Sequence, residues 1–241
     1  MHESRLKILN ATLNVVREKG YHATRIEDVC AAAGLTKGSF FHHFSSKEEL
    51  AIAAATHWDV VTGTLFASAS YHSAPEPLDR LLGYIELRNA LLTNTIPEAT
   101  CYAGTIVQEA YVTHPAVREA CANSIVLHAR TLETDIEAAI ARSDYSGELT
   151  AESLALHTQA VVQGAFILAK ALDGMPAALD SLDHLARYFR LLFAVPARRA
   201  SSVSIWRWGP WRSSWPGAAL AGPGSPRAPD AQGRGLDILR R

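Results

Sequence analysis

The chain has 241 residues, 48% hydrophobic and 20% charged, with a formal net charge of −1. That is enough apolar material for a buried core, and the near balance excludes a protein that meets nucleic acid over its whole surface. The charge is unevenly divided: residues 1–50 carry a net +1, residues 51–196 a net −8 and residues 197–241 a net +6.

The elements follow in chain order. Leu6, Leu9, Leu13 and Val16 form an apolar stripe that predicts a helix over 3–19, ended by Gly20. Thr24 and Glu27 read as a capping box that starts a second helix at about Arg25, with Ile26, Val29, Cys30 and Ala33 inward. Gly34 suits the left-handed turn that ends it. Thr36 then caps a short third helix from Lys37 to about His42, pinned by Leu35, Phe40 and Phe44. Two helices around a tight turn match the helix-turn-helix unit, whose second helix enters the DNA major groove. Ser46 and Glu49 make a further capping box, so a long fourth helix runs from Lys47 to roughly Phe66 as a strut from head to body.

After a loop from Ser68 to Pro77, Leu78, Leu81, Leu82, Ile85 and Leu92 predict a helix to about Thr95, broken by Pro97. A shorter helix carries Tyr102, Ile106, Val107 and Ala110. One long helix is expected from Pro115 to Arg142, then a turn over Asp144–Gly147. Thr150 to Leu172 is apolar almost all round and so expects cover on every side. The last body helix, from about Ala178 to Phe193, turns Leu179, Leu182, Leu185, Phe189 and Leu192 inward. The fold class is therefore all-α: a helix-turn-helix head over 1–50, a helical body over 51–196, and a tail over 197–241. That tail holds four of the five Trp and no periodicity, and disorder is expected there. Its mixture of Trp206, Arg207, Trp208, Trp211, Arg212 and Trp215 could sit at a membrane interface or on nucleic acid; a non-functional extension is the preferred reading.

The runs Gly20–Thr24, Ala32–Phe44 and Ser46–Leu50 closely resemble the N-terminal DNA-binding domain of the tetracycline-repressor (TetR) family, over about Leu6 to Ala55. Gln163 to Lys170 resembles a recurrent run in one branch of that family. Thr24, Thr36, Lys37, Gly38, Ser39, Phe41, His42 and Lys47 are the DNA-contact candidates. Lys37 reaches a base edge or a phosphate, Gly38 permits close approach, and Ser39 meets a base. Thr36 and His42 are placed for phosphate, and Thr24 and Lys47 each sit where a helix N-terminus favours an anion. Phe41 departs from the Tyr that family members often carry, and lacks its phosphate-binding hydroxyl.

One such head makes few base contacts, so a homodimer on an inverted-repeat double-stranded DNA operator is expected. Val162, Phe166, Leu185 and Phe189 are the candidate dimer contacts, in a four-helix arrangement about a two-fold axis. The body is expected to hold an effector. Trp58, Tyr84, Arg88, Cys101, Tyr102, His128 and Phe166 are the candidates, a mixture that suits a mostly apolar small molecule with one polar anchor. Cys101, at a helix start, offers an alternative: a regulator that senses electrophiles through its thiol. A second alternative, an architectural DNA-binding protein without effector, predicts a strongly basic body, against the −8 found. An enzyme is not expected: no H-E-x-x-H, G-x-S-x-G or Gly-rich phosphate loop is present. Neither metal nor cofactor is expected, since Cys30, Cys101 and Cys121 lack ligand spacing and adjacent His42 and His43 diverge on a helix. Met1 to Lys7 has no apolar core segment, and the longest body stretch free of Asp, Glu, Lys and Arg, Ser153–Ala169, is shorter than a ~20-residue span. No membrane partner and a cytoplasmic location are expected.

Overall fold

The computed structural model describes residues 2–92, 95–143, 145 and 147–193, and every regular element among them is helical. The described residues all belong to one compact unit. The tail, its Trp/Arg cluster and Pro196 lie outside the described residues, as do Asp144 and Ser146 of the expected turn.

α1 (Glu3–Lys19) buries Ile8, Leu9, Leu13 and Val16. α2 (Ile26–Ala33) begins one residue later than expected. Arg25 is its N-cap, and the Arg25 N–H donates to Asp28 Oδ2 at 2.9 Å. The Thr24–Glu27 box is therefore replaced by Arg25–Asp28, because the Thr24 hydroxyl is committed to the Gly20 carbonyl at 2.6 Å. Gly34 does take the left-handed conformation, φ 65° and ψ 35°, and the Leu35 N–H returns to the Cys30 carbonyl. α3 (Lys37–His43) is capped by Thr36, whose hydroxyl accepts from the Ser39 N–H. Phe40 and Phe44 are fully buried beneath it, each worth roughly 1.5–3 kcal/mol in apolar area.

α4 (Lys47–Ala67) crosses position 50, so head and body share one continuous helix. Ser46 caps it, but the Glu49 carboxylate turns to the N–H and hydroxyl of Ser45 rather than to Ser46. Among the described helices it alone is long and apolar enough to cross a membrane; here Leu50, Ala51, Ala54 and Ala55 pack into the head core.

A 3-10 turn (Ser70–Ser73) leads to α5 (Pro77–Leu91). α5 stops before the expected Thr95, and Pro97 does not break it: Pro97 occupies the first turn of a separate short helix, α6 (Ile96–Ala99), where its missing N–H costs nothing. α7 (Tyr102–Ala110) follows. The single helix expected over 115–142 is two, α8 (Pro115–Arg130) and α9 (Glu133–Arg142). At the break the Thr131 and Leu132 N–H groups bond three residues back, and the Thr131 hydroxyl takes the His128 carbonyl. α10 (Ala151–Ala171) and α11 (Pro176–Leu192) pack together at the far end. α10 is not covered all round: Leu156, Ile167 and Leu168 stay 42%, 47% and 41% exposed.

Two apolar cores result. The body core gathers Leu81, Tyr84, Ile85, Leu154, Val162, Phe166, Leu182 and Phe189. The head core is completed by body residues: Tyr102, Ala103, Ile106 and Ala110 of α7, with Val117 and Cys121 of α8. At the seam, the wholly buried Tyr102 donates its hydroxyl to the Ala51 carbonyl of α4 at 3.1 Å. Tyr102→Phe deletes that bond while keeping the ring. It should cost about 1 kcal/mol and lower the thermal unfolding midpoint by ~2–4 °C; an unchanged midpoint would show the hydroxyl to be idle.

Candidate nucleic-acid interface and effector cavity

The outer face of α3 is polar and open. Thr36, Lys37, Gly38, Phe41 and His42 are exposed and Ser39 half-buried. A Cβ built on Gly38 would meet nothing nearer than the Thr36 hydroxyl at 3.7 Å, so the approach to the helix is clear. Lys37 is not bare: its ammonium pairs with the Glu27 carboxylate, both side chains 56% exposed. Phe41 is 56% exposed, a large apolar ring that meets the Phe40 ring edge to face. Lys47 is half-buried, its ammonium 4.4 Å from the Tyr21 ring centroid and 3.4 Å from the His22 carbonyl. Burial lowers its pKa, against the opposing pull of Glu109. Thr24 departs from expectation. It is 3% exposed, its hydroxyl donates to Gly20 and its N–H to Tyr21, so neither group is available to a phosphate.

Behind the head, a half-open cavity of about 320 Å³ lies between α1, α4, α5, the α6 region and α10. Four of the effector candidates line it: Trp58, Arg88, Cys101 and Phe166. A narrow extension of about 20 Å³ adds His128, with Ser124, Gln159 and Gln163. A groove of about 430 Å³ on the other side of Cys101 and Phe166 is lined by Gly104, Glu109, Gln163 and Lys170. Two candidates do not line these spaces. Tyr102 is sealed in the head–body seam, and Tyr84 stands behind the wall. Arg17, Phe66, Gln159 and Gln163 are lining residues that periodicity could not single out, because each looked like one more helical position.

The wall is a polar cluster in which Tyr84 and Gln159 are buried and Arg88 and His128 half-buried. The Tyr84 hydroxyl accepts from Arg88 Nε at 3.0 Å and from Gln159 Nε2 at 3.2 Å, and lies 3.1 Å from His128 Nε2. Arg88 Nη2 donates to His128 Nε2 at 2.5 Å, and the guanidinium lies 4.4 Å from the Phe66 ring centroid. Burial, and then the Arg88 charge, push the His128 imidazole down to about 3. It is thus neutral, with a lone pair free for Arg88. Cys101 caps α7, its sulfur accepting from the Gly104 N–H at 3.3 Å.

Between cavity and head runs α7. Its Glu109 carboxylate accepts from the His22 N–H at 2.8 Å, and the Glu109 carbonyl meets the His22 ring at 3.2 Å. Gly20, at φ 84°, leaves the space that this carboxylate fills: a Cβ there would sit 2.3 Å from Glu109 Oε1. Arg17 ties α1 to the α6 region through the Glu98 carbonyl at 2.8 Å.

Val162, Phe166, Leu185 and Phe189, expected at a partner interface, are instead core side chains of the single chain, none more than 6% exposed. The outward apolar residues of α10 and α11 include Leu156, Ile167, Leu168, Tyr188 and Leu191, with Leu191 81% exposed. His157 and Tyr188 meet edge to face, so the two helices present one surface.

The sequence profile for bacterial regulatory proteins of the tetR family matches residues 8–54, and that for the tetracyclin repressor-like C-terminal domain matches residues 77–185. The chain is 28% identical over 120 residues to an uncharacterised HTH-type transcriptional regulator, YxaF, of Bacillus subtilis, covering 49% of this chain and 62% of that protein. It is 49% identical over 51 residues to the HTH-type transcriptional regulator CymR of Pseudomonas putida, covering 21% of this chain and 25% of that one. The matched part thus spans less than two thirds of either relative. A TetR transcriptional regulator from Chloroflexus aurantiacus superposes with a TM-score of 0.67 at 28% identity, over 77% of this chain and 93% of that one.

The neutral His128 carries a pH signature. An ordinary imidazole protonates near 6.5, this one not until about 3. Between those values the unfolded state binds the extra proton, so the stability tied to His128 is complete above 6.5 and lost as pH falls toward 3. Its ring resonances should not titrate between pH 8 and 5 in NMR, and acid-side destabilisation should be shallower in His128→Gln.

Proposed function

Because the chain belongs to the tetracycline-repressor (TetR) family of bacterial regulatory proteins, we propose that it is a dimeric transcriptional repressor, released from an inverted-repeat operator when a small, mostly apolar molecule fills the body cavity. The observation that carries this reading is the open face of α3, with Lys37, Gly38, Phe41 and His42 all exposed above a core that fixes the helix. Lys37 and Ser39 meet base edges, Thr36, His42 and Lys47 meet phosphates, and Phe41 packs on the sugar–phosphate edge without donating. The protein is read as a regulator and not an enzyme, acting in the cytoplasm without metal or cofactor.

Release follows from the shared wall. A ligand in the cavity presses on Trp58 of α4, Cys101 before α7 and Arg17 of α1. These are the elements that fix the head through Tyr102–Ala51 and Glu109–His22. A ligand that favours one setting of α7 over the other changes the spacing of two heads, a coupling of ~1–3 kcal/mol. The second copy is proposed to cover Leu168, Tyr188 and Leu191. Gly164, with open space where a Cβ would stand, lets a partner helix come close.

Selection from a randomised duplex pool should return an inverted repeat, and Lys37→Ala with His42→Ala should weaken binding to it by at least ~tenfold; retention of full affinity would remove α3 from the interface. Leu168→Glu places a charge on the apolar face and should shift sedimentation from dimer to monomer at micromolar concentration. A dimer that persists would move the partner contact elsewhere.

A further inference from the structure

The effector reading above supplies the site; its charge supplies the ligand class. We propose that the body cavity is built for an organic anion: a carboxylate or similar oxyanion carried on a flat apolar group, its charge held by Arg88.

Two guanidiniums, Arg17 and Arg88, line the one cavity. Among the described residues neither forms an ion pair. Glu98 also lines the cavity and its carboxylate acts on the Arg17 charge from beyond ion-pair distance, while its hydrogen bonds go to its own helix start. Glu98 accepts from the Thr95 N–H at 3.3 Å and from the Thr95 hydroxyl at 2.7 Å. Asp59 accepts from the Ser124 hydroxyl. His128 is neutral. The cavity therefore sets two positive charges against one carboxylate, Glu98, whose charge acts on Arg17, and leaves Arg88 with no negative partner in contact among the described residues. A cation taken from water without a counter-ion is costly, and an incoming anion offsets that cost.

The two arginines differ in what they have left to give. Arg17 is spent as a staple: Nε donates to the Leu13 carbonyl, Nη1 to those of Glu98 and Thr100, and Nη2 to Asn14 Oδ1, while the group lies 5.1 Å from the Trp58 ring. It contributes field rather than donors. Arg88 uses Nε on Tyr84 and Nη2 on His128, both neutral, and its Nη1 donors have no protein acceptor among the described residues. Tyr84, His128 and the Phe66 ring fix the plane of the guanidinium, which leaves a preoriented donor pair for a charge-assisted bond. Trp58, Leu65, Leu91 and Phe166 supply the apolar remainder of the lining.

Calorimetry on the full chain tests this with shape-matched probes: 2-naphthoate, neutral 2-naphthamide and cationic 2-naphthylmethylamine, with benzoate and 3-phenylpropanoate to vary size. At least one acid should bind, 2-naphthoate ~10- to 100-fold tighter than its amide, and the amine not at all. Arg88→Gln should bring the acid down to the amide's affinity and leave the amide within a few-fold of its value. Amide binding equal to acid, preference for the amine, or no acid binding below millimolar concentration overturns the proposal. The wild-type comparison decides this even where the variant fails to fold. Operator release, followed on the same samples, separates the two claims. Acids that bind without freeing DNA uphold the anion site and remove the effector reading. A neutral compound that frees DNA where acids do not bind overturns the anion site and keeps the effector reading.

Discussion

The head of this protein cannot close its own core. Ile8, Leu9, Val29, Phe40 and Phe44 come from the first three helices, but Tyr102, Ile106, Ala110, Val117 and Cys121 complete the cluster from the body. A three-helix head of some fifty residues is near the size at which a lone core becomes marginal. Borrowing α7 and α8 relieves that constraint and also removes any freedom for the head to swing independently. On the proposed reading, the apolar seam that stabilises the head would also pass the position of α7 to α3.

Polar groups set the direction of that transmission. At one end of α7, Cys101 borders the cavity; at the other, Glu109 holds His22. A nine-residue helix is short enough to move as a rigid body, so on the proposed reading a displacement at its start would reappear at its end. The polar Tyr84–Arg88–His128–Gln159 cluster behind the cavity is the less compliant wall. Each member is bonded to another, with only the Arg88 Nη1 donors left over, and such networks resist rearrangement.

Much of this was legible in the residues. Gly20, Gly34, Thr36 and Ser46 mark boundaries by local chemistry, and the structure keeps all four. Errors arose where the deciding interaction was remote or small. Thr24 resembles a cap, but a carbonyl four residues back claims its hydroxyl. The α8–α9 break lacks Gly or Pro and rests on a threonine side chain. Val162, Phe166, Leu185 and Phe189 looked fit for a partner because an apolar stripe carries no label for which neighbour covers it. Trp58, Arg88, Cys101 and Phe166 do converge on one cavity, since aromatics and cations stand out on apolar helices. Arg17, a head residue in sequence, could not be foreseen there.

The Lys37–Glu27 pair has a consequence for search along a chromosome. Exposed pairs of this kind are screened by solvent and weak, so a well-placed phosphate or guanine could displace the carboxylate. Until that happens the reading helix arrives already neutralised at its first residue. On the proposed reading its pull on arbitrary duplex, which depends on releasing condensed counterions, would be weaker by that one cation. On that reading, such a molecule would spend less time stalled on the wrong stretches of genome and leave more copies free to find the right one.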